Sequence, residues 1–121
     1  MKSNNCIRNL LRVICLLQSN SLDRCNFSDC SKPFLGPSIN SVCYNTRVIT
    51  LYNKNGDIFT STYGDSSSSY FRIQSVFDNC VTLLILDYNN NEYISTGEFI
   101  TINISCIGAV KCIEDVSINT I

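Results

Sequence analysis

The stretch YFRIQSVFDNCVTLLILDY, residues 70–88, decides the fold. Its first half alternates: Phe71, Ile73 and Phe77 fall on one side of an extended chain, while Arg72 and Gln74 face away. Its second half, Cys80 to Tyr88, is almost continuously apolar and rich in strand-forming residues, as expected of a strand covered on both faces. Asp78-Asn79 between them is turn chemistry. Two neighbouring strands, Tyr70 to Phe77 and Cys80 to Tyr88, follow directly.

The pattern continues on both sides. Arg47 to Asn53 reads as a strand, Lys54-Asn55-Gly56-Asp57 as a tight turn and Ile58 to Tyr63 as the returning strand. Asn-Gly suits a type I′ turn, which needs positive φ at both central residues. That register sets Tyr52 opposite Phe59 and Val48 opposite Tyr63 as cross-strand pairs. Gly64 to Ser69 is a polar loop. Beyond the Asn89-Asn90-Asn91 turn come a short strand, Glu92 to Ser95, and a long one, Phe99 to Ile107. The latter places Ile100, Ile102, Ile104 and Cys106 on one side. After Gly108, Ala109 to Ile113 and Val116 to Ile118 supply one or two more. About seven or eight short strands at regular spacing predict an all-β, antiparallel β-sandwich of Greek-key or jelly-roll type.

The first third of the chain differs. Residues 4–18 read as an amphipathic helix with Ile7, Leu10, Leu11, Ile14 and Leu17 in its apolar stripe, capped by Asn4 or Asn5. Cys6 and Cys15 lie about 180° apart around its axis and cannot bond to each other. Such a helix either covers the core or acts as an arm that carries thiols to a neighbour. Residues 19–45 are turn-rich, with Phe34 and Leu35 expected to pin the loop to the body. The expected organisation is an N-terminal helical arm over 1–24 and a β-sandwich domain over 25–121.

Eight cysteines and no histidine occur among 121 residues. A domain of this length buries roughly two thirds of its unfolded surface and does not need staples to fold. The surplus sulfur is free to join subunits. Nine basic residues against ten acidic, in no block of one sign, exclude the electrostatic footprint of a nucleic-acid binder. The longest apolar run is far too short to span a membrane. Arg8 and Arg12 interrupt what would be a signal-peptide core, and no small-x-small cleavage site follows, so no signal peptide is expected.

Zinc favours paired C-x₂₋₄-C knuckles; Cys25 and Cys30 fit, but Cys106 and Cys112 are too widely spaced and no histidine can substitute. A reactive thiol needs a base or cation to activate it, and none is evident. Glu114 and Asp115 would point to opposite faces of a strand. No catalytic residue, cofactor or metal is therefore expected. By position, Cys6, Cys15, Cys25 and Cys30 are candidates for interchain disulfides. Cys43, Cys80, Cys106 and Cys112 are candidates for either kind, and the parity of Cys106 also suits a buried, inert thiol.

Four blocks resemble the spore coat protein Y/Z family, which includes exosporium proteins of endospore-forming bacteria. They are Cys30-Ser31-Lys32-Pro33-Phe34-Leu35-Gly36; Asn45-Thr46-Arg47 with Leu51-Tyr52 and the Lys54/Gly56 turn; Phe71 to Val76 followed by Cys80; and Ile104 to Cys106 through Ala109 to Cys112 to Asp115 to Ile118. Departures are a Cys25–Cys30 spacing one residue longer than the family pattern, Gly108 where relatives carry cysteine, and a shorter segment before Glu92. The resemblance implies a non-enzymatic shell protein, made in the mother-cell cytoplasm and placed in the coat, crust or exosporium. It further implies self-association into cross-linked sheets and contact with other spore coat or exosporium proteins.

Overall fold

The computed structural model describes residues 6–18 and 44–118. Residues 6–18 are helical (α1). The strands are β1 (Thr46–Asn53), β2 (Ser61–Tyr63), β3 (Ser66–Ser68), β4 (Tyr70–Phe77), β5 (Cys80–Asn89), β6 (Glu92–Asn103) and β7 (Ile107–Val116), with a 3-10 turn at Ile104–Cys106. Five strands form an antiparallel sheet in the order β6-β5-β4-β1-β7, and β2 pairs with β3 in a ribbon. The antiparallel β class is as expected. Among the described residues, however, there is one large sheet and a two-stranded ribbon rather than two sheets of comparable size. The readings of the Asn4/Asn5 cap, Phe34, Leu35, Cys25, Cys30 and Cys43 lie outside the described residues.

The two outer strands, β6 and β7, are separated in sequence only by the 3-10 turn. Five strands laid flat would hold them about 19 Å apart. The four peptide links from Asn103 to Ile107 reach at most about 14 Å. The sheet must therefore curl. Its concave face carries Ile49, Leu51, Phe71, Ile73, Val81, Leu83 and Ile85, clustered with Ile104 and Ile107. Helix α1 packs into this face through wholly buried Leu11 and Ile14, with Ile7 and Cys15 beside them. The convex face holds a smaller cluster of Val48, Leu84, Leu86, Tyr93 and Ile118.

The seam between β1 and β4 is the weak point of the curl. These strands share a single register pair, Ile49 with Phe71. One step on, Arg47 and Ile73 would pair, but Gln18 stands between them. Its Nε2 donates to the Ile73 carbonyl at 2.8 Å, and its Oε1 accepts from the Arg47 N–H at 3.0 Å. The carboxamide thus replaces a peptide rung. On the convex side, buried Arg72 donates to Thr46 Oγ1 at 2.9 Å, to the Asn45 carbonyl at 3.1 Å and to the Gln74 side chain. Burial pulls its pKa below the ordinary arginine value.

Several expected details differ for local reasons. The β4 boundaries agree, but the β4–β5 register shifts between Ile73 and Ser75. This bulge flips Phe77 away from Phe71 and Ile73, and it stands 75% exposed. The Asn55-Gly56 turn is not type I′, because only Gly56 has positive φ. Asn53 closes it instead, its Oδ1 accepting from the N–H groups of Asn55 and Asp57. Tyr52 consequently bridges Ile58 rather than Phe59, and Val48 pairs with Glu114 rather than Tyr63. The two strands expected over 92–107 are one, β6, with its register shift taken up near Gly97 (φ 80°). It stops at Asn103, whose side chain caps the 3-10 turn. Ile104 is buried there, and Cys106 is exposed rather than core-facing. In α1 the buried row is Leu11, Ile14 and Gln18, leaving Leu10 and Leu17 exposed.

Gly108 passes against the end of β1. A Cβ there would meet the Asn53 carbonyl oxygen at 2.6 Å and the Lys54 Cα at 2.9 Å. The position admits no side chain without a shift of that backbone. Gly108→Cys is expected to destabilise by about 1–3 kcal/mol through overpacking. Gln18→Leu, which keeps the volume but strands two backbone groups, is expected to cost about 2–4 kcal/mol. Denaturant melts under reducing conditions check both.

Candidate assembly surface

The chemistry on the outside of this fold is thiol, aromatic ring and open strand edge. Five described cysteines are free, and four of them, Cys6, Cys80, Cys106 and Cys112, are exposed. Cys15 is half-buried on α1, and its Sγ donates to the carbonyl of the bulge residue Gln74 at 3.7 Å. The exposed four are dispersed. Cys6 begins the described part of α1. Cys80 opens β5 opposite Phe77 and Asn103. Cys106 lies at the same end of the sheet, because the Ile104 N–H bonds the Asn79 carbonyl in the β4–β5 turn at 2.8 Å. Cys112 sits in the middle of β7 opposite Ile49.

Apolar groups accompany the thiols. Phe77 and Phe99, 75% and 54% exposed, share the convex face with Cys80 through the pairs Phe77–Cys80 and Leu84–Phe99. Leu10, Val13 and Leu17 continue from Cys6 at spacings of four, three and four residues, a row along the solvent side of α1. The Phe77 patch was not legible from alternation because the Gln74 bulge reverses its side. Of the α1 row, Leu10 and Leu17 fell in the apolar stripe read from the sequence, whereas Val13 did not.

Among the described residues, β6 and β7 each have a strand neighbour on one side only. Both are long, and most of their residues are exposed. Unpaired strand edges are templates for another strand. The β7 edge is braced by Arg47, whose Nε and Nη2 donate to the two Asp115 carboxylate oxygens at 2.7 and 2.9 Å. This contact raises the Arg47 pKa, with a smaller contribution from Cys112 beside it. It also holds the Asp115 carboxyl below its usual value. No group of three or more His, Cys, Asp or Glu placed to hold a metal ion occurs among the described residues. Nor is any described helix long and apolar enough to cross a membrane.

A family model described as spore coat protein Z matches residues 1–93. The chain belongs to the spore coat protein Z family. That membership supports a structural role in the spore coat and a place at the spore surface. The match covers α1 and β1 to β5 and ends two residues into β6, so β7, Cys106 and Cys112 lie beyond it. No match was found among curated proteins or solved structures.

Tyr70, Tyr88 and Tyr93 of this coat-family chain pack together on the convex face, with ring centroids 4.6–5.9 Å apart. Burial, then the nearby Glu114 carboxylate, pushes the Tyr93 phenol up to about 12 from 10.0. A phenol kept neutral in the fold but ionised at its ordinary pKa when unfolded favours folding fully below pH 10. That contribution declines as pH rises from 10 through about 12. Titration of the tyrosinate absorbance should therefore show a tyrosine ionising near 12 that is missing in Tyr93→Phe, with stability falling across the same interval.

Proposed function

We propose that the chain is a self-assembling structural subunit of the endospore's outer layers, coat, crust or exosporium, locked by interchain disulfides. The observation that carries this reading is the valency of the exposed thiols. One reactive thiol per subunit yields dimers, two yield chains, and three or more yield a network. Cys6, Cys80, Cys106 and Cys112 exceed that threshold, and Cys25, Cys30 and Cys43 add to the supply. Cys15 is the least suited described member, being half-buried against Gln74.

Assembly runs in two stages. Copies first associate reversibly through strand edges and apolar patches. Antiparallel pairing of β7 with β7 of a second copy about a two-fold axis suits this stage, because it brings Lys111 near Glu114 of the other copy, both on the convex side. Facing Cα atoms in such a ladder lie about 4.5–5.5 Å apart, within the range a disulfide spans. In the second stage two thiols lose two electrons and two protons to dioxygen, and an S–S bond forms between copies. Contacts with other coat or exosporium proteins use the same exchange chemistry.

Electrophoresis with and without reductant, joined to electron microscopy, tests the proposal. Wild-type protein oxidised in air should give ladders that collapse on reduction, and regular arrays in the microscope. The variant C6S/C25S/C30S/C43S/C80S/C106S/C112S should still form arrays but dissolve in detergent without reductant. A wild-type chain that stays monomeric after oxidation instead identifies a binding module without lattice assembly, and ends this reading.

A further inference from the structure

A cleft of about 480 Å³ opens between the second half of β1, the β2–β3 ribbon and the end of β5. Its volume is in the range of small-molecule sites, roughly 300–1,000 Å³. The chemistry of its wall is unusual. Tyr70 and Tyr88 contribute rings, Asp87 a carboxylate, and Thr60, Ser67 and Ser69 hydroxyls. At its most buried point is Thr50, 4% exposed, whose Oγ1 has no hydrogen-bond partner.

We propose that this cleft binds carbohydrate, taking a neutral pyranose residue with an equatorial hydroxyl pattern. The partly exposed Tyr88 ring, held at 5.9 Å from Tyr70, offers a π face to the axial C–H groups of the sugar. Asp87 accepts from Tyr63 through Oδ1 at 2.7 Å, which orients the carboxylate and leaves Oδ2 to accept from sugar hydroxyls. Thr60 and Ser69 share one hydrogen bond of 2.8 Å between their hydroxyls, so each keeps capacity for a ligand. Ser67 supplies a further hydroxyl on the ribbon side. The wall is set in advance, since Ser68 Oγ donates to the Leu86 carbonyl at 2.5 Å and accepts from the Tyr70 N–H at 3.0 Å.

Other ligand classes fit less well. No cationic side chain lines the cleft among the described residues, which disfavours phosphates and other anions. Among the described residues Ile58 is its only aliphatic hydrophobic side chain, too little for a lipid tail. A quaternary ammonium gains from the rings and Asp87 but makes no use of the hydroxyl groups. The inference does not depend on lattice assembly.

Saturation-transfer NMR, which observes the ligand and works on monomer or assembly alike, tests it with full-length chain and two probes, cellobiose and diacetylchitobiose. Glycerol and choline serve as controls. Transfer to the ring protons of at least one sugar is expected, with little to either control. Tyr88→Ala should raise the apparent Kd at least 10-fold and Asp87→Asn about 5-fold, with unchanged far-ultraviolet circular dichroism. Thr60→Val is the second safeguard: it should keep the wild-type circular dichroism yet bind several-fold more weakly. Absence of transfer from both sugars, equal transfer in Tyr88→Ala, or stronger transfer to choline overturns the proposal.

Discussion

The fold depends on one carboxamide. β1 and β4 meet at a single pair, so the join between a β6-β5-β4 part and a β1-β7 part of the sheet leans on Gln18. Gln18 closes the next rung from the helix side while Arg72 closes the opposite face by reaching Thr46 and Asn45. These contacts also fix α1, because a helix whose last described residue is bonded to two strands cannot slide along the core. The half-buried Cys15, tied to the Gln74 carbonyl, lies in the same arrangement. The strand bulge, the helix docking and the partial withdrawal of one thiol from solvent are thus parts of one local solution.

This is also where sequence reading stopped. Period-two alternation found β4, a nearly continuous apolar run found β5, and helical periodicity found Ile7, Leu11 and Ile14. It selected Leu17 for the core rather than Gln18, because hydropathy weighs transfer free energy and not the demand of two unpaired backbone groups. Phe77 was misplaced for a related reason: one extra residue in a strand reverses every later side chain. The Asn-Gly turn misled because Asn53, just outside the dipeptide, satisfies the turn through its side chain. At Gln18 and at Asn53 a polar side chain doing a backbone's work overrode the simpler pattern.

The candidate site was legible in part. Cysteine abundance without histidine pointed to cross-linking over catalysis, and the family blocks pointed to a spore shell. Exposure of individual thiols was not legible. Cys106 looks core-facing only while the strand runs on past Asn103, and the 3-10 turn capped by that residue rotates Ile104 inward and leaves Cys106 outside. The cleft escaped altogether. Its wall comes from β1, the ribbon, β4 and β5, and nothing in linear spacing brings Thr50 beside Tyr88.

Geometry along β5 separates the two surfaces. Cys80 begins this strand, and Asp87 and Tyr88 lie near its other end, about 24–27 Å away at the rise of an antiparallel strand. Cys106 sits with Cys80, while the cleft lies with the ribbon at the opposite pole. Bonds made through Cys80 and Cys106 can therefore join copies without covering the hydroxyl-lined cleft. Because a curled sheet has one concave face and α1 fills it, both surfaces are displaced to the convex side and the rims. The same constraint that packs the core therefore leaves Cys80, Cys106 and the cleft facing outward, the two thiols at one end and the cleft at the other.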